Sequence, residues 1–486
     1  MRQRVLAALM AAAGVAGATM MAVSGPAAAG VTAASSRVAA APLGWGQAAV
    51  LPGTVKLAPD GADGGAVSCP STGNCTAGGL YFAGGGASQV FVTSERNGRW
   101  GSAGGLPGLA ALNSRGDGEL NGLSCGSPGN CVAAGSYLGS AGLEAYVAVQ
   151  RDWHWGKAEN IPGLSALNLS GDAAAWAASC ASPGNCVVGG SYLDGSEETQ
   201  AFVVTLSNWH WASATEVPGT ATLNAGGRAE LTVVSCRKAG NCSASGSYRP
   251  DSTTTSGFVV TEKNGHWGNA IQMPGLAALN AGGSAFPVAL SCGSAGNCAA
   301  GGSYRDAASH GQAFLITQSN GHWNKAAEVP GTGALNVGGS AQVTTISCSS
   351  AGNCAAGGLY VTSGRLELFV ITQSKGGWGK AIVMPGILSH NKGSSTQLYS
   401  LSCTSAGNCA AGGYYENAAF REFAFVSTES GGHWGSLTEL PGLASVSPGG
   451  DSGVSQVSCP SAGHCVGVGY ATSAAHHDQA FYIRRP

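Results

Sequence analysis

Eight cysteine pairs of identical spacing constrain this chain more than any other feature of its sequence. Each pair has five residues between its cysteines, and the pairs are Cys69 and Cys75, Cys125 and Cys131, Cys180 and Cys186, Cys236 and Cys242, Cys292 and Cys298, Cys348 and Cys354, Cys403 and Cys409, and Cys459 and Cys465. Successive pairs begin 55 or 56 residues apart, as the positions of their first cysteines show. A motif repeated at a fixed interval of this length indicates an array of similar structural units rather than unrelated domains.

A tryptophan and a Pro-Gly pair recur at the same interval as the cysteines. The tryptophans are Trp45, Trp100, Trp155, Trp211, Trp267, Trp323, Trp378 and Trp434. A Pro-Gly pair follows each of them, from Pro52-Gly53 to Pro441-Gly442. Because three markers keep one register through the chain, they define a single repeating unit that occurs eight times.

Each unit contains four strand-like stretches separated by turn signals. In the fifth unit these are residues 286–292, 298–304, 312–318 and 323–329, and no stretch has a helical period. A four-stranded antiparallel unit in four to eight copies is the blade of a β-propeller, whereas eight separate domains of this size would each lack a sufficient core. The sequence therefore predicts an all-β fold: a single eight-bladed β-propeller of four-stranded blades, with one disulfide per blade.

The two ends of the repeat region predict how the propeller closes. Residues 45–486 begin with a lone fourth strand at 45–51 and end after a third strand at 479–483. The last blade therefore lacks the strand that the N-terminal end of the repeat region offers. We expect this N-terminal strand to join the last blade, because a shared blade removes an open sheet edge.

The residues before the repeats have the features of an export signal. Arg2 and Arg4 precede an apolar, Ala-rich run at 5–23, and Ala27-Ala28-Ala29 offers a cleavage pattern. We predict a signal peptide at 1–29, a flexible segment at 30–44, and a secreted, extracellular protein without a membrane span after cleavage. A retained membrane anchor is the alternative.

The cysteine pairs are predicted to be local disulfides that clamp the turn between the first and second strands. An export signal in front of sixteen regularly spaced cysteines favours disulfides. Zinc is the competing interpretation, but a zinc site needs about four ligands, and each unit supplies two thiols without a regularly placed His, Asp or Glu. No metal or other cofactor is expected.

Charge and apolar content exclude several functional classes. Charged residues make up 10% of the chain and the net charge is −2, which argues against nucleic acid and against a polybasic membrane-surface protein. Apolar residues make up 44%, and the aromatic residues recur regularly, which argues against disorder.

Part of the repeat resembles the kelch repeat. Residues Cys298-Ala299-Ala300-Gly301-Gly302-Ser303-Tyr304, followed by a variable loop, a third strand and Trp323, show the similarity. The Ser-Cys-x-Ser-x-Gly-Asn-Cys element is not kelch-like and resembles a class of secreted actinobacterial repeat proteins, mostly of undefined function. The resemblance implies a propeller and brings no catalytic residues with it.

Two tryptophans that depart from the repeat are candidates for ligand binding. Trp153 and Trp209 replace the glycine at the tip of the turn between the third and fourth strands in adjacent units. An exposed tryptophan pair can stack on sugar rings or contact a partner protein. Sequence drift at a tolerant turn is the alternative.

A repeated asparagine is the second candidate. It lies in the loop that leads from the fourth strand to the next unit, as Asn113, Asn168, Asn224, Asn280 and Asn336. A ring of identical amides would suit a multivalent sugar binder. Asparagines in loops also cap turns through hydrogen bonds from side chain to backbone, and this is the alternative.

Other positions have weaker functional signals. Trp176 and Tyr399 share one position, four residues before a first cysteine, on the strand predicted to lie nearest the channel; filling that channel is one role for them. The serine before each first cysteine is expected to pack between blades, and the histidine before several repeat tryptophans is expected to be structural. The charged loops between second and third strands, including His476-His477-Asp478, offer only a weak metal-like cluster.

These observations favour a secreted, non-catalytic binding protein, a monomer whose propeller loops recognise carbohydrate from a cell wall or the environment. One alternative is an extracellular propeller enzyme acting on polysaccharide, a hydrolase, lyase or oxidase, which would need a carboxylate pair or a metal cluster at the channel. The other is a protein-interaction scaffold at the cell envelope, for which an exposed apolar patch would be the sign.

Overall fold

The computed structural model describes residues 44–84 and 86–486, and within them eight antiparallel sheets form the blades of a β-propeller. The first strand of each blade packs beside the first strands of its two neighbours, and that of blade 8 lies beside that of blade 1. The predicted eight-bladed fold is confirmed. The predicted signal peptide and the segment 30–44 lie outside the described residues, apart from Gly44.

Three long strands form the body of every blade. The first strands, at the channel, are Ala62–Ser71, Glu119–Ser127, Ala173–Ser182, Ala229–Lys238, Ala285–Ser294, Ala341–Ser350, Thr396–Ser405 and Ser452–Ser461. The second strands are Asn74–Phe82, Asn130–Leu138, Asn185–Leu193, Asn241–Tyr248, Asn297–Arg305, Asn353–Thr362, Asn408–Glu416 and His464–Thr472. The third strands are Ser88–Arg96, Leu143–Arg151, Thr199–Ser207, Ser256–Lys263, Gly311–Ser319, Arg365–Ser374, Glu422–Ser430 and Asp478–Arg485.

The fourth strand is interrupted, which the sequence did not predict. In blades 1 to 7 the first piece along the chain is Arg99–Trp100, His154–Trp155, His210–Trp211, His266–Trp267, His322–Trp323, Gly377–Trp378 and His433–Trp434, respectively. The second piece is Gly104–Gly105, Glu159–Asn160, Thr215–Glu216, Ile271–Gln272, Ala327–Glu328, Ile382–Val383 and Thr438–Glu439, in the same order of blades.

A hydrogen bond from the neighbouring blade accounts for the interruption. In the fifth blade the backbone N–H of Ala326, which lies in the gap, donates to the carbonyl of Pro274 in the preceding blade at 2.7 Å. An equivalent bond to the proline of a Pro-Gly pair joins every successive pair of blades. In blade 8 the donor is Ala48, just before the N-terminal strand Ala49–Val50, and that strand pairs with Asp478–Arg485 as the sequence predicts.

A single helical turn follows each Pro-Gly pair, although no helix was predicted. The turns are Thr54–Leu57, Leu109–Leu112, Leu164–Ala166, Thr220–Leu223, Leu276–Leu279, Thr332–Leu335, Ile387–His390 and Leu443–Val446. They are too short to show a helical period in the sequence. No helix among the described residues is long and apolar enough to cross a membrane.

The core of each blade is built around one fully buried aromatic side chain of the third strand. These are Phe91, Tyr146, Phe202, Phe258, Phe314, Phe369, Phe425 and Phe481. The facing second strand carries a glycine opposite this side chain in every blade, and close packing requires it. A Cβ atom on Gly135, for example, would lie 2.0 Å from the carbonyl oxygen of Glu119 in the first strand.

All sixteen cysteines form the eight predicted disulfides, each across the turn between the first and second strands of its blade. The prediction of one bridge per blade is therefore confirmed, and the zinc interpretation is excluded because no thiol remains free among the described residues. The bridges join Cys69 to Cys75, Cys125 to Cys131, Cys180 to Cys186, Cys236 to Cys242, Cys292 to Cys298, Cys348 to Cys354, Cys403 to Cys409, and Cys459 to Cys465.

Serines connect the inner ends of neighbouring blades. The serine before each first cysteine accepts a hydrogen bond from the backbone N–H of the first cysteine in the next blade, as Ser235 does from Cys292 at 3.1 Å. Equivalent bonds run through all blades and close from Ser458 to Cys69. The expected packing role of these serines is confirmed.

Candidate functional site in the central channel

A β-bulge in the first strand of every blade directs one side chain toward the channel. In blade 3, for example, Ala175 and Ala177 pair with adjacent residues of the second strand and Trp176 between them is left unpaired. We call the set of unpaired residues the bulge ring: Gly65, Asn121, Trp176, Thr232, Val288, Thr344, Tyr399 and Ser455. All of them line a channel cavity of about 480 Å³, and bulges commonly re-aim side chains in this way.

The bulge ring varies where the surrounding strand repeats. The cysteine that follows four residues later is present in every unit, yet the bulge position holds seven different residue types in eight blades. Every one of these residues is uncharged. Because the bulge residue makes no ladder pairing of its own, the fold tolerates different side chains at this position.

Trp176 and Tyr399 lie on opposite walls of the channel. They belong to blades 3 and 7, four blades apart in a ring of eight. The Trp176 side chain is 37% exposed, and its indole N–H donates to the Ser191 hydroxyl at 3.0 Å. A cavity with an aromatic ring on each of two facing walls can hold a flat apolar surface of a ligand between them.

Three other members of the bulge ring connect neighbouring blades. Asn121 donates to the carbonyl of Ala175 at 3.1 Å, Thr232 to that of Pro287 at 3.1 Å, and Thr344 to that of Leu398 at 2.7 Å. Each acceptor is the residue just before the bulge in the next blade. These side chains therefore fix the walls from which the two aromatic rings project.

The wall behind Tyr399 is rich in phenolic hydroxyls. The ring of Tyr399 lies 5.8 Å from that of Tyr414, whose hydroxyl is 3.0 Å from the Ser395 hydroxyl. Tyr470 donates to the Glu422 carboxylate at 2.5 Å. Burial, together with the nearby Tyr399 and Glu422, raises the pKa of Tyr470 well above its ordinary value. The proton of this phenol is held in its hydrogen bond to Glu422.

The two tryptophans predicted as a binding platform are half-buried rather than exposed. Trp153 packs over the Gly129 turn of its own blade, and the Arg96 guanidinium of the preceding blade lies 4.8 Å from its ring centroid. Trp209 packs in the same way over Gly184, with Arg151 at 5.0 Å. The expectation of a freely exposed pair is therefore corrected, because contacts with the glycine turn and the arginine cover much of each indole.

The repeated asparagines are committed to the loops in which they lie. The side-chain oxygens of Asn113, Asn168, Asn224, Asn280 and Asn336 each accept a hydrogen bond from the backbone N–H four residues later. The amide of Asn113 also donates to the Ser88 carbonyl at 2.8 Å and is 3% exposed. The structure therefore places these side chains as caps, and a ligand would have to displace backbone groups to reach them.

The remaining sequence candidates lie apart from the channel. His154 and His210, before repeat tryptophans, each bond through Nδ1 to the carbonyl two residues earlier. His476, His477 and Asp478 lie where the chain enters the last long strand. Within residues 44–84 and 86–486, no group of three His, Cys, Asp or Glu side chains is placed to hold a metal ion.

The sequence predicts that Trp176 and Tyr399 lie near the channel, but it does not reveal the bulge ring to which they belong. One signal in the sequence could have identified these residues. Although the repeats are closely similar, the residue four positions before the first cysteine differs in nearly every unit. What could not be seen in one sequence is that this position is bulged and therefore unpaired.

Comparison with known proteins assigns no family to the chain. No protein-family model matches the chain, and no curated protein matches it. A protein of unknown function from Dyadobacter fermentans is 9% identical, with 91% of this chain and 99% of that chain covered and a TM-score of 0.40. Sqt1 from Chaetomium thermophilum is 11% identical, with 85% and 93% covered and a TM-score of 0.47. An ulvan lyase of a new polysaccharide lyase family is 9% identical, with 82% and 94% covered and a TM-score of 0.39.

Proposed function

We propose that this protein is a secreted, non-catalytic binding protein that holds a neutral carbohydrate in the central channel, between Trp176 and Tyr399. The observation that carries the proposal is the placement of these two aromatic rings on opposite walls of one cavity of about 480 Å³. Aromatic rings bind the C–H faces of sugars, and pockets for small ligands commonly have volumes of roughly 300–1,000 Å³.

The chemistry of the cavity wall supports a neutral ligand. The bulge ring supplies hydroxyl, amide and apolar groups to this wall. Glycoside hydrolysis ordinarily uses a pair of carboxylates at a defined separation. The described residues that line this cavity include no Asp or Glu, so its composition suits recognition better than hydrolysis.

The disulfides support the extracellular part of the proposal. Each blade carries one bridge across its innermost turn. Disulfides persist in oxidising compartments and are rare in the cytosol.

The test is a glycan and polysaccharide array on the oxidised protein, followed by titration of the best ligand. We expect Trp176→Ala and Tyr399→Ala each to weaken binding about tenfold, which corresponds to a loss of about 1.4 kcal/mol of stacking and apolar contact. Trp209→Gly is the matched control, because it removes an indole far from the channel and restores the glycine of the other repeats at a turn with φ of 69°.

Two outcomes would contradict the proposal. Binding that survives both channel substitutions but is lost in Trp209→Gly would move the site to the face of the propeller that carries the disulfides. A blank array across wall and storage polysaccharides would rule out a carbohydrate ligand.

A protein partner is the second candidate function, and exposed apolar side chains favour it. Leu169, Val337, Leu388 and Phe420 are more than half exposed and lie in loops and helical turns on the face opposite the disulfide turns. Exposed apolar side chains can serve as points of contact with a partner protein. Replacing Leu169 and Val337 by Ser would abolish capture of such a partner from envelope extracts while leaving any glycan binding unchanged.

A further inference from the structure

A second pocket lies outside the channel, between blades 3 and 4. Its volume is about 680 Å³, and it opens among the turns on the disulfide face. Blade 3 contributes Thr205 and Ser207, and blade 4 contributes Glu262, Gly265 and Trp267. None of these residues belongs to the bulge ring.

Glu262 lies in the third strand of blade 4, at a place that most blades fill with a buried polar side chain. Its counterparts in the other third strands of blades 1 to 7 are Glu95, Gln150, Leu206, Gln318, Gln373 and Glu429, all at most 4% exposed, whereas blade 8 has the half-buried Arg485 at this position. Each side chain faces the preceding blade, as the bond from Gln150 to Ser94 at 2.9 Å shows. This position therefore decides how two blades satisfy each other's polar groups.

Between blades 6 and 7 a chain of hydrogen bonds connects the polar groups at this position, although the second carboxylate oxygen of Glu429 has no partner among the described residues. The indole N–H of Trp434 donates to the Thr372 hydroxyl at 3.4 Å, and that hydroxyl donates to the Glu429 carboxylate at 2.5 Å. A tryptophan, a threonine and a glutamate thus form one continuous chain of hydrogen bonds across the interface.

The same three residue types occur between blades 3 and 4, but their chain of hydrogen bonds is not formed. Glu262 is 2% exposed, and its Oε2 atom has no hydrogen-bond partner among the described residues. The indole N–H of Trp267 also lacks a partner there, as do those of Trp100, Trp155, Trp211 and Trp378 in other blades. Both side chains line the pocket together with Thr205. Because an unpaired buried donor or acceptor is destabilising, a ligand that satisfied both groups would gain affinity from them.

At the two preceding interfaces, larger residues cover the surface that corresponds to this pocket. Between blades 1 and 2, Arg96 and Trp153 cover the corresponding surface, and between blades 2 and 3, Arg151 and Trp209 do so. The equivalent residues between blades 3 and 4 are Ser207 and Gly265, which are too small to cover it. In blade 3 itself the position of Glu262 is filled by Leu206, which is 2% exposed.

From this geometry we infer that the pocket between blades 3 and 4 is a second binding site, specific for an uncharged polyhydroxylated ligand of monosaccharide size. A hydroxyl group both donates and accepts hydrogen bonds, so it can donate to Glu262 and accept from Trp267 at once. Val187, Val203 and Leu206 line the same pocket and offer an apolar surface to the C–H groups of the ligand.

A cationic ligand fits the pocket less well. A guanidinium or ammonium group only donates, so it would satisfy Glu262 and leave the indole N–H of Trp267 unpaired. Burial also raises the pKa of Glu262, although His266 lowers it to a smaller extent. Its neutral form is therefore favoured relative to that of an exposed carboxyl.

The test uses a protein in which the channel site has been removed by Trp176→Ala and Tyr399→Ala, so that the two sites are distinguished. Glucose, galactose, N-acetylglucosamine and myo-inositol are titrated by ligand-observed NMR and calorimetry, with methylguanidinium as the charged comparison. We expect at least one neutral compound to bind and methylguanidinium not to bind.

Two further substitutions locate the site. Glu262→Leu copies the residue that blade 3 carries at this position, and Trp267→Phe removes only the indole N–H with little change in shape. Each is expected to weaken binding by at least tenfold. Gln373→Leu is the matched control, since Gln373 holds the same buried position between blades 5 and 6, and it is expected to leave binding unchanged.

Thermal melting of each variant checks that the propeller remains folded. If Trp267→Phe does not fold, the binding measured with Glu262→Leu is the test of the site. The inference is overturned if none of the neutral compounds binds the channel variant, or if binding persists in Glu262→Leu. Binding of methylguanidinium through Glu262 would also overturn it, because the site would then select charge.

Discussion

At the scale of single residues, the closing interface differs from the others in one pair of side chains. Where most other blades place a threonine or serine, blade 8 carries Arg484, and it forms an ion pair with the buried Glu95 of blade 1. Burial raises the pKa of Glu95, and the charge of Arg484 lowers it to a smaller extent. The closing interface therefore has a charge pair at the place where blades 1 and 2, and blades 4 and 5, have hydrogen bonds between neutral side chains.

Removing one partner of this pair is expected to be costly. Arg484→Thr leaves a buried carboxylate without its counter-ion, and such changes lower the free energy of unfolding by about 3–5 kcal/mol. The double variant that combines Glu95→Gln with Arg484→Thr recreates the Gln318–Thr261 pair of blades 4 and 5 and should recover most of that loss. Urea unfolding of the three proteins measures both effects, and an equal loss in the single and double variants would refute this account.

The buried glutamates also predict how stability depends on pH. Burial raises the pKa of Glu429 above the ordinary value of 4.5, although the hydrogen bond from Thr372 lowers it in part. The folded state therefore holds this proton more tightly than the unfolded state. The stabilisation is fully present below pH 4.5 and is lost as pH rises through the folded-state pKa.

The measurement is urea unfolding of the wild type and two variants between about pH 4 and 7, the range in which a raised carboxyl pKa takes effect. Glu429→Gln should flatten the decline in unfolding free energy across this range. Gln373→Glu, which places a carboxyl at the same buried position one blade earlier, should steepen it. Identical slopes in all three proteins would show that these carboxyls do not carry the effect.

At the scale of elements, the Pro-Gly turns depend on glycine for two separable reasons. Gly163 has a φ of 78°, in the left-handed region, and a Cβ atom there would lie 2.8 Å from the Cβ of Ser213 and 3.1 Å from the backbone nitrogen of Ala214 in the next blade. Gly321 lies instead in the exposed turn between the third and fourth strands of blade 5. Its φ is also in the left-handed region, at 85°, but an added Cβ atom would meet nothing within 4 Å.

These two glycines form a matched pair for mutation. Gly321→Ala should lower the free energy of unfolding by about 1–2 kcal/mol through backbone strain alone. Gly163→Ala should lower it further, by about 1–3 kcal/mol more, because the added methyl group also crowds the adjacent blade. Chemical denaturation compares them, and equal losses would mean that space between the blades is not limiting.

At the scale of the whole molecule, features that recur in every unit could be predicted from the sequence, whereas features that depend on contacts between neighbouring blades could not. Blade number, the disulfides and the shared last blade follow from regular spacing. The interruption of the fourth strand does not, because its cause is the carbonyl of a proline such as Pro274, which belongs to the preceding blade. The partial burial of Trp153 was missed for the same reason, since Arg96 lies in a different repeat. Trp176 was noticed, but its bulge was not visible in the sequence.

The serine and proline hydrogen bonds described above form two closed circuits that pass through every blade. In an open repeat array, a terminal unit has one neighbour and can fray alone. Here every blade has a neighbour on each side, so detaching any one of them must break both circuits at two interfaces. Loss of order therefore has no preferred starting point at an end of the array, and the blades should resist local melting as a group.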